Sequence, residues 1–121
     1  MPTKKTLLAA FLLMLFTPAA FAQSHADHSG HADGPMADYM RPMDTMMESM
    51  DGMTSSGNAD ADFLLMMIPH HQSAIDMAKV ELEQGKDPET REIAETIIVT
   101  QEREIAEMKT MLQRLGVEAP E

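Results

Sequence analysis

Methionine is the residue type in this chain with the clearest potential for chemistry, and it is concentrated in one segment. The chain has 14 methionines among 121 residues. Seven of them fall in one short stretch: Met36, Met40, Met43, Met46, Met47, Met50 and Met53. On an ideal helix these positions lie within about 140° of one another, so they would share one face. The stretch contains no Leu, Ile, Val or Phe, so that face would present mainly thioether sulfur.

Two chemical interpretations of this face are open. Methionine is a flexible apolar residue, and a methionine stripe at helical spacing usually packs in a core. Thioethers are also soft donors that suit Cu(I), and outside the cytoplasm they are not lost to disulfide formation as thiols are. The chain has no cysteine, which excludes disulfides, iron–sulfur clusters, cysteine zinc sites and blue-copper centres. We predict a Cu(I) site whose ligands here are Met43, Met46, Met47 and Met50.

A second group of candidate ligands follows in the run Met66-Met67-Ile68-Pro69-His70-His71. Each histidine has a methionine four residues before it, one helical turn away on the same face. A lone histidine on an apolar face is usually a hydrogen-bonded core residue, but two adjacent pairs favour metal binding. The additional predicted ligands are Met66, Met67, His70, His71, Met77 and Met108. Gln101 and Glu104 are predicted to orient the histidines, or else to make an ordinary contact between helices.

Three further histidines, His25, His28 and His31, lie in the polar segment 23–35, which is predicted to be disordered. Spaced histidines of this kind bind Cu(II), Zn(II) or Ni(II) with little discrimination. If the chain is cut after Ala22, the new terminus Gln23-Ser24-His25 offers an amine, two amides and an imidazole. That set of four nitrogens suits square-planar Cu(II).

The first 22 residues are typical of a secretory signal peptide, with a basic start, an apolar run from Leu7 to Phe16 and an Ala-x-Ala cleavage pattern. The apolar run is too short to be a membrane anchor, so a periplasmic or secreted protein is predicted. The net charge of the chain is −11, which argues against nucleic-acid binding.

The rest of the chain predicts an all-α fold. A short methionine-rich helix is expected near 42–53, or from Pro35 with Pro42 inside it. A second helix is expected over about 60–84, capped by Asn58 or Asp60, and a third from Asp87 to just before Gly116. The last two should form an antiparallel hairpin with a small core, which makes a homodimer plausible. The predicted domain covers 36–116, followed by a tail at 117–121.

The run from Asp62 to Ala78 resembles the signature of the family catalogued as domain of unknown function 305. The stretch from Ile97 to Met108 is similar to the second helix motif of that family. The resemblance implies a ferritin-like helical bundle and, from characterised members, copper handling in the periplasm through Met and His. The positions to which this role carries over are Met66, His70, His71, Met77 and the cluster Met43–Met50.

We therefore predict a protein that buffers, sequesters or hands on copper and so contributes to copper tolerance. Its expected partners are copper ions and a periplasmic copper transporter or chaperone. One alternative is a helical module whose methionine face binds another protein. A second is a metal-dependent oxidase, but di-metal sites in such bundles use Glu-x-x-His pairs, and Met67 and Ile68 stand where those glutamates would be.

Overall fold

The structure, a computed structural model, describes residues 33–120 and contains three helices and no strand in that range. The helices are α1 (Pro35–Asp51), α2 (Ala59–Gln84) and α3 (Pro88–Arg114). The all-α prediction is confirmed. The predicted signal peptide and the three histidines His25, His28 and His31 lie outside the described residues. Among the described helices, none is long and apolar enough to cross a membrane.

Helix α1 begins at Pro35 and continues through Pro42, which is the longer of the two predicted forms. Pro35 occupies the first turn, where a backbone N–H would have no partner within the helix and proline costs little. Pro42 removes one hydrogen bond without ending the helix. Met53 lies beyond Gly52, outside α1, so the last methionine of the stripe belongs to the linker between α1 and α2.

The starts of the two longer helices are set by side chains that accept backbone hydrogen bonds. Asn58 Oδ1 accepts from the N–H groups of Asp60 and Ala61 at 2.9 and 3.4 Å. Asp87 Oδ2 accepts from the Thr90 backbone N–H at 2.8 Å and from the Thr90 hydroxyl at 2.7 Å. Both residues therefore satisfy donors that the first helical turn leaves unpaired.

Helices α2 and α3 form the predicted antiparallel hairpin and hold the core between them. Arg91 at the start of α3 donates to the carbonyl oxygens of Leu82 and Gly85 at 2.7 and 3.1 Å, so it binds the end of α2. The buried hydrophobic residues are Ala61, Leu64, Ile68, Ile75, Ala78, Ala94, Met108 and Leu112. All of them come from these two helices, which therefore supply the core without α1.

The end of α3 folds back onto that core. The N–H of Gly116 donates to Gln113 O and that of Val117 donates to Leu112 O, at 3.1 and 3.0 Å. Gly116 has a φ of 72°, the left-handed conformation that glycine adopts without steric cost when it ends a helix in this way. Val117 consequently packs against the core cluster that contains Leu112.

Helix α1 is an outer element that packs on α2 and buries none of its own residues. Two hydrogen bonds hold its first half: the Tyr39 hydroxyl donates to Glu81 Oε2 at 2.7 Å, and Gln84 Nε2 donates to Asp38 Oδ2 at 2.6 Å. The bond to the Glu81 carboxylate raises the pKa of Tyr39 above its usual value. Because α1 contributes so little to the core, its side chains are largely available for other contacts.

Asp62 and Asp87 are expected to make the stability of the fold fall in acid. Hydrogen bonds from Ser55 and Ser56 lower the pKa of Asp62, and those from Thr90 lower the pKa of Asp87. The unfolded chain then binds these protons first, so the stabilisation is present above the unfolded pKa of about 3.9 and is lost as pH falls through the lower native pKa.

The check is the thermal midpoint of unfolding, followed by circular dichroism from about pH 6 down to about pH 3. An Asp87→Ser variant keeps a helix-capping oxygen but removes the titrating group, so its midpoint should depend less on pH. The same slope in both proteins would show that Asp87 does not contribute.

Candidate metal-binding site

Part of the methionine stripe of α1 lies on the side that packs on α2, and part of it faces solvent. Pro42, Thr45, Met46 and Ser49 line a cavity of about 180 Å³ shared with α2 and α3; of these, Pro42 and Met46 are half-buried, whereas Thr45 and Ser49 are exposed. Pro42 and Thr45 also face α2 in a neighbouring groove.

Several thioethers of the stripe consequently reach solvent. Met36, Met43 and Met47 are 59%, 40% and 61% exposed. The other four, Met40, Met46, Met50 and Met53, are half-buried. Core packing accounts in part for Met46 and Met53, which line the cavity between the three helices. It does not account for the three exposed residues.

On α2 the first Met–His pair also faces outward. Met66 is 44% exposed and His70, one turn later, is exposed as well. Phe63 on the same side is 62% exposed. Met77 is placed differently, because it lines an apolar pocket with Tyr39 and Ile97 and lies two turns beyond His70. Met66 and His70 are thus a compact pair, and Met77 is separated from them.

The second pair, Met67 and His71, is directed towards α3. The Nδ1 atom of His71 lies 2.9 Å from Met67 O, and its Nε2 atom lies 2.8 Å from Glu104 Oε2. A carbonyl oxygen only accepts, so Nδ1 carries a proton, and Nε2 shares a hydrogen bond with the carboxylate. Metal binding at Nε2 would have to displace Glu104 or recruit it as a ligand.

Glu104 therefore does contact one of the two histidines, as one of the two predicted roles requires. Gln101, one turn earlier on α3, has a buried Oε1 atom without a hydrogen-bond partner among the described residues. Met108 is buried among Leu64, Ile68 and Leu112. Its position is explained by packing, and an ion would reach its sulfur only if the core opened.

The donor set of the described residues favours a soft ion over a hard one. No group of three or more His, Asp and Glu side chains between residues 33 and 120 is arranged to hold a metal ion. The exposed thioethers of Met36, Met43, Met47 and Met66 are further donors in this region. Cu(I) accepts thioether and imidazole ligands, whereas Mg²⁺ and Ca²⁺ require oxygen. The residues present fit copper.

The ligands predicted from the sequence do not include Met53. Met53 lies in the linker, where the helical stripe no longer predicts its direction, yet it lines a cavity together with Met66 of α2. The hydrogen bonds of Asp62 to the linker place it there. A hint was present in the sequence, since a Ser-rich turn before a helix often bonds to an acidic residue in the first turn.

Comparison with known proteins identifies a family for this chain and a relative that matches only part of it. Residues 10–112 match the model of the family described as Domain of unknown function (DUF305). An uncharacterized protein of Acanthamoeba polyphaga mimivirus is 43% identical over 53 residues. This match covers 44% of the chain and 35% of the viral protein, so the chain spans about a third of that relative. No solved structure matches the chain.

Proposed function

This chain belongs to the DUF305 family, and we propose that within it the protein binds copper outside the cytoplasm, chiefly as Cu(I) through thioethers. It buffers, sequesters or hands on the metal and so contributes to copper tolerance. The histidines His25, His28 and His31 add weaker Cu(II) binding. The proposal is for a binding protein and not for an enzyme.

The observation that carries the proposal is the exposure of Met36, Met43 and Met47 on one side of α1. Full burial of an apolar side chain contributes about 1.5–3 kcal/mol relative to full exposure, and each of these partly exposed methionines forgoes part of that stabilisation. The cavity between α1, α2 and α3 is lined by Met46 and not by these three, so packing accounts for Met46 but not for them. Binding of a soft metal ion would explain why these sulfur atoms are accessible to solvent, since they would be its ligands.

The anionic surface supports the same proposal. The chain carries 20 Asp and Glu against 9 Lys and Arg, and a negative potential raises the local concentration of cations. A signal peptide over residues 1–22 would place the protein in the periplasm or outside the cell, where a copper transporter or chaperone would be its partner.

A second candidate function is a helical module that binds another protein. It is favoured by exposed apolar side chains beyond the methionine face, namely Phe63, Ile93 and Val99 at 62%, 61% and 70% exposure. A second copy that covers them would supply the fourth helix of a ferritin-like bundle. Partner binding through the methionine face that does not depend on metal would favour this function over the first.

The proposed function is tested by anaerobic titration of Cu(I) into the purified protein in competition with a chromophoric Cu(I) chelator. We expect the protein to withdraw Cu(I) from the chelator. A variant in which His25, His28 and His31 are all alanine should keep this Cu(I) binding and lose most of its Zn(II) binding. If the protein does not compete, or if Cu(I) binding disappears with the three histidines, the thioether proposal is wrong.

A further inference from the structure

The linker between α1 and α2 and the first turns of α2 line a cavity of about 260 Å³ that is open to solvent. Its lining brings together two thioethers from different parts of the chain, Met53 of the linker and Met66 of α2, with Leu65 beside them. Its surface is mainly apolar, with Thr54, Ser55 and Asp62 also in the lining, and each of the two segments contributes one thioether side chain. These two methionines do not belong to one helical face, so their proximity is a product of the tertiary fold.

Hydrogen bonds hold the linker in the position that brings Met53 to α2. Asp62 in the first turn of α2 accepts from the Ser55 hydroxyl at 2.6 Å, and from the N–H and hydroxyl of Ser56 at 2.7 and 2.6 Å. On the other side, the N–H of Met53 donates to Met50 O at 3.1 Å. Met53 is therefore half-buried although it lies outside any helix.

A third donor lies one turn along α2. His70 follows Met66 by four residues, so the two side chains are neighbours on the helix surface. Both are exposed, and the imidazole of His70 lies one helical turn from Met66, outside the lining of the cavity. Two thioethers and one imidazole are a donor set that copper accepts.

We propose that Met53, Met66 and His70 form a discrete Cu(I) site at the junction of α1 and α2, with Asp62 as its positioning residue. This inference rests on the proposed copper function and specifies where its tightest site lies. The methionines on the outer face of α1 come from one helix and stand in solvent. The junction instead holds donors from two segments that the fold has already ordered, and less ordering on binding gives higher affinity.

The first test compares the single variants Met53→Leu and Met66→Leu with Met111→Leu in the same chelator competition. Met111 is 41% exposed on α3 and Met66 is 44% exposed on α2, so the control matches the loss of an accessible sulfur. We expect the affinity of the tightest Cu(I) site to fall at least about tenfold in each junction variant, or 1.4 kcal/mol. Met111→Leu should leave it unchanged.

The second test follows the methionine methyl groups by NMR during addition of Ag(I), a redox-inactive soft ion of the same charge. The first equivalent should shift the methyl signals of Met53 and Met66 and the ring signals of His70, before those of Met43 and Met47. In Asp62→Asn the shift of Met53 should weaken while that of Met66 persists. A purely structural role of Asp62 would not separate the two signals.

The outcomes distinguish this inference from the function on which it rests. If the unaltered protein does not retain Cu(I) against the chelator, the proposed function fails. If it retains Cu(I) but Met53→Leu and Met66→Leu bind as tightly as Met111→Leu, the junction site is wrong and the copper function stands. If the methyl signals of Met43 and Met47 shift first when Ag(I) is added, the tightest site lies on α1 and the junction site is likewise wrong.

Discussion

Replacing Met43, Met46, Met47 and Met50 together by leucine should greatly reduce the Cu(I) capacity of the protein while its helical content stays the same. Leucine keeps the apolar volume but has no sulfur donor. None of these side chains is fully buried, so each substitution should change the free energy of unfolding by less than about 1.5 kcal/mol. Fewer Cu(I) ions should be bound per chain, and the affinity of those lost should fall at least about tenfold, 1.4 kcal/mol.

The measurement is the anaerobic chelator competition, with circular dichroism on the same samples. A matched control replaces Thr45 and Ser49 by alanine, because these residues lie on the same helix, are exposed and carry no sulfur. The control should keep full Cu(I) capacity. If the leucine variant binds as many Cu(I) ions as the unaltered protein, the α1 methionines do not bind copper and serve in packing or in binding a partner.

The substitution Leu112→Ala should be the most destabilising single change among those proposed for this protein. Leu112 is 0% exposed and packs in the cluster with Ala61, Leu64, Ile68 and Met108. Truncating a buried leucine typically costs about 2–5 kcal/mol, because the cavity left behind collapses only in part. For a domain of this size, about 1 kcal/mol lowers the thermal midpoint by roughly 4–8 °C, so a fall of more than about 10 °C is expected.

Thermal unfolding measured by circular dichroism checks this prediction. The neighbouring substitution Met111→Ala is the control, because Met111 is 41% exposed and its truncation should cost less than about 1 kcal/mol. Similar midpoints for the two variants would mean that the α2–α3 hairpin is not the stabilising core. The contact of Val117 with the same cluster would then also contribute little to stability.

Most of the local structure could be predicted from the sequence, because the forces that set it act within a few residues. Asn58 and Asp87 satisfy the free N–H groups of the turns that follow them, and Gly116 accepts the left-handed conformation that ends α3. The 3.6-residue period places Leu64, Ile68 and Leu112 on faces that are buried in the structure. The three helices and their hairpin follow from these short-range rules.

What only the tertiary structure decided is which side of each helix meets which neighbour. Hydropathy alone would turn all the methionines of α1 inward, yet Met46 lines the cavity between the helices while Met47 is exposed. The pairing of His71 with Glu104 depends on the register of two helices, and the meeting of Met53 with Met66 depends on a linker held by hydrogen bonds. Helical periodicity describes each segment by itself, whereas these contacts join residues from separate segments, and only the packing of the whole chain selects them.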